Sequence, residues 1–81
     1  MKSAVIARSV TINGHKTSLS LERPFWEECL RIADNLGLSL EELLSQIDAE
    51  RLHGNLASAV RLYVLDDVKR RASLSPRRPR H

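Results

Sequence analysis

The sequence has a single cysteine, Cys29, and one each of phenylalanine, tryptophan and tyrosine. One cysteine cannot close an intrachain disulfide, so nothing indicates an oxidising compartment. It also leaves no paired spacing of the C-x₂-C kind that a structural zinc site requires, and neither a metal nor another cofactor is expected. So few rings argue against an aromatic-lined ligand pocket. No uninterrupted apolar run of about 18 residues occurs, which excludes a membrane-spanning helix. The stretch Met1 to Ile12 is too short and too polar for a signal peptide, so the cytoplasm is the expected location. No glycine-rich phosphate loop is present. No serine, cysteine or threonine has a base and an orienting acid placed for it, and no enzyme is expected. The paired acids Glu27-Glu28, Glu41-Glu42 and Asp66-Asp67 are helix neighbours whose side chains diverge.

What the chain does contain is leucine, valine, isoleucine and alanine in helical and strand patterns, over 81 residues. That length allows one domain, and a domain this small gains from a partner that supplies further apolar area. The net charge of +3 is unevenly spread. Residues 1–23 carry Lys2, Arg8, Lys16 and Arg23 against Glu22. Residues 24–68 set only Arg31, Arg51 and Arg61 against nine acids. Residues 69–81 hold six cations and no acid. The basic ends can attract a polyanion, and the acidic middle cannot.

The strongest local signal is Asn13-Gly14. Both central positions of a type I′ turn need positive φ, which Asn-Gly supplies, so Ala7 to Leu21 reads as a β-hairpin. A two-residue turn fixes the register: Ile12 opposes His15, Thr11 opposes Lys16, Val10 opposes Thr17, Ser9 opposes Ser18 and Arg8 opposes Leu19. Because opposed residues share a face, one face carries Val10, Ile12, His15, Thr17, Leu19 and Leu21, with Arg8 as its misfit. The other carries Ser9, Thr11, Lys16, Ser18 and Ser20 and is wholly polar.

Three helices follow. The first starts near Pro24, a residue favoured in a first turn, with Glu27 and Glu28 suited to the N-terminal dipole. Phe25, Cys29, Ile32, Ala33 and Leu36 repeat at helical spacing, and Gly37 reads as the left-handed residue that ends the helix. Ser39 with Glu42 forms a capping box for a second helix to about Leu52. Asn55 caps a third, to about Arg71, with apolar Leu56, Val60, Tyr63, Val64 and Val68. Cys29 belongs to the core, and His15, beside the turn, is structural. Residues 1–71 thus form the domain, and residues 72–81 a basic, disordered tail.

The order strand, helix, Gly-Leu-Ser turn, helix resembles the ribbon-helix-helix superfamily of Arc- and MetJ-type repressors. The stretch Arg8 to Asp48 is similar to a group of short bacterial members with an N-terminal hairpin, and Asn55 to Val68 to their C-terminal helix. The resemblance implies a mainly α fold with a small β element, in which two chains intertwine as a homodimer. Their ribbons pair antiparallel, and their second helices share one core. It implies a transcriptional regulator that inserts the ribbon into the major groove of double-stranded DNA, which admits such an element. Lys16, Ser18 and Ser20 would then meet base edges. Arg8, Thr11 and the helix N-terminus at Ser39 and Leu40 would meet phosphates. The alternative is a dimeric interaction module, antitoxin-like or adaptor, that engages a protein partner and does not read DNA through the ribbon. One feature complicates groove insertion. A first strand on the outside of each ribbon makes the dimer sheet four-stranded, roughly 14 Å across its backbones at about 4.8 Å per step.

Overall fold

In the computed structural model, which describes residues 4–51 and 54–74, Asn13 and Gly14 take φ of 52° and 84°. These two positive values make the tight turn that joins strands β1 (Val5–Ile12) and β2 (His15–Glu22). The strands pair antiparallel in the register set by the turn, from Ile12 opposite His15 to Val5 opposite Glu22. The hairpin starts two residues earlier than the β-branched pattern indicated.

Helix α1 (Arg23–Leu36) leaves β2 without a break, and Pro24 sits in its first turn. Glu22 occupies the cap position, but its side chain does not cap. Glu27 and Glu28 fall beyond the first turn, so they do not serve the dipole as expected. Glu28 instead pairs with Arg31 and Arg71. At the far end Gly37 has φ 72°, and the N–H groups of Gly37 and Leu38 donate to Asp34 and Ala33. This double bond satisfies carbonyls that the helix would otherwise leave open.

Helix α2 (Leu40–Glu50) begins in a complete capping box. Ser39 Oγ accepts from the Glu42 N–H at 3.1 Å, and Glu42 Oε1 accepts from the Ser39 N–H at 2.8 Å. The helix stops at Glu50, and the expected last residue, Leu52, lies outside the described residues. Helix α3 (Leu56–Leu74) is capped by Asn55, whose Oδ1 accepts from Ser58 at 2.8 Å. It runs three residues past the expected end at Arg71, taking Ala72 to Leu74 from the segment read as tail. The rest of that tail, residues 75–81, lies outside the described residues.

The apolar hairpin face meets the helices in a single core. Val10, Ile12, Leu19 and Leu21 from the sheet pack with Trp26, Cys29, Ile32 and Ala33 of α1. Leu43, Leu44 and Ile47 of α2 and Val60 and Val64 of α3 complete it. No polar side chain is buried among the described residues. Leu43 and Leu44 are fully buried by elements of their own chain, since α2 packs against β1, α1 and α3. Strand β1 and helix α3 thus supply much of the apolar surface around α2.

Candidate nucleic-acid interface

The hairpin presents its polar face to solvent. Lys16, Ser18 and Ser20 are all exposed on β2, and Ser9 and Ala7 stand exposed beside them on β1. Thr11, opposite Lys16, is half-buried. The side chains are short apart from Lys16, so the face is low and close to the backbone. Lys16 makes no ion pair among the described residues, and its ammonium group is free to meet an external anion.

Backbone groups sharpen this picture. A β-turn bonds its first and last residues, which makes Ile12 and His15 a hydrogen-bonded pair. Such pairs alternate along an antiparallel ladder. The N–H and C=O groups of Lys16, Ser18 and Ser20 therefore point away from β1, as do those of Thr11, Ser9 and Ala7 on the opposite edge. The Thr11 N–H finds a partner in Glu41 Oε2 at 2.9 Å, and the Asn13 N–H reaches Ser45 Oγ at 3.3 Å. Helix α2 thus closes the turn end of the β1 edge. Along β2 no such partner occurs among the described residues, and its edge is open.

The four phosphate candidates separate. Thr11 and Ser39 line one shallow recess, together with Glu41 and Glu42. Both hydrogen-bonding groups of Ser39 are already engaged with Glu42. Leu40 is half-buried against the core. Arg8 lies on the opposite face of the hairpin, its guanidinium 5.1 Å above the Trp26 ring. That contact explains the misfit: the charge stacks on an aromatic face while Trp26 Nε1 donates to the Ile6 carbonyl at 3.0 Å.

Sequence reasoning missed the pairing of charges between elements. Arg61 of α3 binds Glu22 at 3.0 Å. Arg31 and Arg71 share Glu28 and Asp67 in a ring between α1 and α3, with contacts of 2.7 to 3.2 Å. Hydrogen bonding from Arg61 holds the Glu22 carboxyl below its ordinary value. Burial pushes Asp67 upward, but hydrogen bonds from Arg31 and Arg71 outweigh it and leave its pKa lowered. Much of the basic C-terminal end of α3 is therefore neutralised in place. Burial also lifts the Cys29 thiol to about 11, so it is not a reactive thiolate.

Among the described residues no three histidine, cysteine or acidic side chains gather as metal ligands. None of the helices there is long and apolar enough to cross a membrane. No curated protein and no solved structure gives a significant match to the chain. A family model described as the ribbon-helix-helix domain does match, over residues 5–68, and with the hairpin and following helices in place the chain belongs to that family.

Proposed function

We propose that this protein is a homodimeric, non-enzymatic DNA-binding regulator of the cytoplasm that meets the major groove with the polar face of its hairpin. The observation that carries the proposal is the coincidence of Lys16, Ser18 and Ser20 on one exposed face with an open backbone edge on the same strand. Ribbon-helix-helix domains are generally DNA-binding transcription regulators or antitoxins. Pairing of β2 with the β2 of a second copy places two sets of these residues at the centre of a four-stranded sheet. The two central strands fit within a groove about 12 Å wide. The outer β1 strands then lie over the groove walls. Sheet twist of roughly 20–25° per strand turns them away from the axis of the inserted pair.

In this arrangement Lys16 donates to guanine O6 and N7, while the serines make weaker, base-tolerant contacts. Thr11 stands on the outer strand, over the phosphates. Ser39 and Leu40 are the less favourable phosphate contacts, because Glu41 and Glu42 share their recess. Arg8 reaches a phosphate only if it leaves Trp26. The arginines at 77, 78 and 80 add attraction without sequence preference.

The proposal is tested by electrophoretic shift against a randomised duplex library over a range of salt. The wild-type chain should select a sequence and lose affinity steeply as salt rises. A Lys16→Ala, Ser18→Ala, Ser20→Ala variant should lose the selection and at least about tenfold in affinity. Parent-like binding by that variant would defeat the ribbon mechanism. The second reading, an interaction module for a protein partner, draws on the acidic helical body and on the Glu41 carboxylate at the ribbon edge. It requires a protein complex together with no DNA shift even at low salt.

A further inference from the structure

The turn that sets the hairpin register is also a chemically labile point. The carboxamide carbon of an asparagine can be attacked by the backbone nitrogen of the next residue, and a glycine there leaves that nitrogen unobstructed. Of the three asparagines only Asn13 precedes a glycine, while Asn35 and Asn55 each precede a leucine. Asn13 and Gly14 are both exposed. Apart from its chain neighbours, no atom comes within 4 Å of the point where a side chain on Gly14 would begin. Asn13 is held through its backbone N–H, which donates to Ser45 Oγ. Among the described residues its carboxamide makes no hydrogen bond, and the Gly14 N–H meets no backbone acceptor. The other two asparagines are restrained. Asn35 lies within α1, and Asn55 Oδ1 accepts the capping bond from Ser58.

We propose that Asn13 is a site of spontaneous deamidation in the folded protein, and that its conversion disables the ribbon. The Gly14 nitrogen gives its proton to hydroxide and bonds to Asn13 Cγ. The Cγ–Nδ2 bond breaks, and Nδ2 leaves as ammonia after taking a proton from water. The product is a five-membered succinimide. Water then opens the ring at one of its two carbonyls. Opening at Cγ restores the ordinary peptide link and leaves an aspartate at position 13. Opening at the main-chain carbonyl leaves an isoaspartate, whose link to Gly14 runs through Cβ and Cγ. The net change is uptake of one water and loss of one ammonia, with nothing oxidised or reduced.

The two products act differently. Asp-Gly serves a type I′ turn as Asn-Gly does, so the aspartate form keeps the hairpin. Its carboxylate is ionised at neutral pH. It joins Glu41 and Glu42 around the recess that also holds Thr11 and Ser39, and so opposes a phosphate there. The isoaspartate form lengthens the main chain of a two-residue turn by one atom. Strand register then loses the constraint that puts Lys16, Ser18 and Ser20 on one face, and a slip of one residue turns them to the other. The effect on DNA rests on the function proposed above, whereas the chemistry at Asn13 is independent of it.

The test is to age the purified full chain at physiological temperature and follow it by peptide mapping. The peptide that holds Asn13 should gain about 1 Da and one negative charge. Part of it should accept a methyl group from an isoaspartyl methyltransferase. Peptides that hold Asn35 and Asn55 should stay unchanged. Conversion should quicken in mildly alkaline buffer, because the attacking nitrogen reacts as its anion. Asn13→Asp should keep the circular dichroism of the parent and lose about tenfold in DNA affinity at low salt. An isoaspartate fraction separated by chromatography should lose sequence selection as well. An Asn13 that stays intact, that converts only after unfolding in urea, or that converts no faster than Asn35 and Asn55 would overturn the proposal. So would parent-like DNA binding by both the aged fraction and Asn13→Asp. If fresh protein binds no DNA while Asn13 converts, the ribbon reading fails and the modification site stands.

Discussion

The two edges of the hairpin are chemically alike and structurally opposite. Each offers outward N–H and C=O groups from three residues, Thr11, Ser9 and Ala7 on β1 and Lys16, Ser18 and Ser20 on β2, and all but Lys16 are short. On β1, Glu41 and Ser45 of α2 bond the Thr11 and Asn13 amides. On β2, no group among the described residues does so. An open strand edge is a template for another strand, and proteins that are not meant to pair there close it. The difference indicates that pairing is directed to one edge. In a dimer paired along β2, each outer β1 edge would carry the Glu41 contact at its turn end.

The largest disturbance of this asymmetry comes from beneath it. Leu44 is fully buried on α2, the helix that holds Glu41 and Ser45 against β1. Leu44→Ala removes core volume and should destabilise the protein by about 2–5 kcal/mol, as measured by urea unfolding. A cost under about 1 kcal/mol would mean that α2 is loosely docked, and the closed edge would lose its support.

Proline substitutions compare the edges directly. Ser9 and Ser18 oppose each other, and both point their N–H groups outward. Proline at either position leaves the hairpin ladder intact, since neither N–H bonds across it. Ser18→Pro should nevertheless weaken dimerisation, and with it DNA binding, by about tenfold or more through the lost inter-chain bonds. Ser9→Pro should change neither. Equal effects in sedimentation would show that the edges are equivalent.

Much of this architecture is legible in the sequence because it is set by local chemistry. Asn13-Gly14 fixes the strand register, and register parity alone puts Lys16, Ser18 and Ser20 on one face. Ser39, Gly37 and Asn55 mark helix ends through their caps. Contacts that depend on how elements dock carry no comparable signal. Glu41 reads as a residue of a helix first turn, and nothing near it points to an amide 30 positions earlier. Arg8 on an apolar face reads as a misfit until Trp26 is placed beneath it. The joint packing of β1 and α3 against α2 carries no local signal either.

A smaller effect is expected at the closed edge. Glu41→Ala removes the acceptor of the Thr11 N–H at an exposed site, and should cost about 0.5–1.5 kcal/mol. The sharper readout is local. Hydrogen exchange at the Thr11 amide should speed up by about tenfold, while the Asn13 amide, bonded to Ser45 by a longer contact, should change less. Unchanged exchange at Thr11 would mean that Glu41 does not guard the edge.

Acid should distinguish the two sides of the hairpin with the smallest effect. The β1 side is held by a carboxylate acting on an amide. The β2 side carries α3 through the Arg61–Glu22 pair, and α3 is tied to α1 through Arg31, Arg71 and Asp67. The pKa values of Glu22 and Asp67 are both lowered in the folded chain. Their contribution is therefore fully present above the unfolded value of about 4 and is lost as pH falls through the lower folded values. Solvent screens these partly exposed pairs, so the loss should be a small fraction of that caused by Leu44→Ala. Thermal melting should be insensitive to these groups between about pH 5 and pH 7 and should decline below about pH 4. In Arg61→Gln the acid decline should be shallower, because Glu22 no longer has a cation to lose. A decline as steep as that of the parent would remove Glu22 from the acid response and leave the α1–α3 ring as its source. The hold of α3 on β2 would then rest on apolar packing around Val60 and Val64 alone.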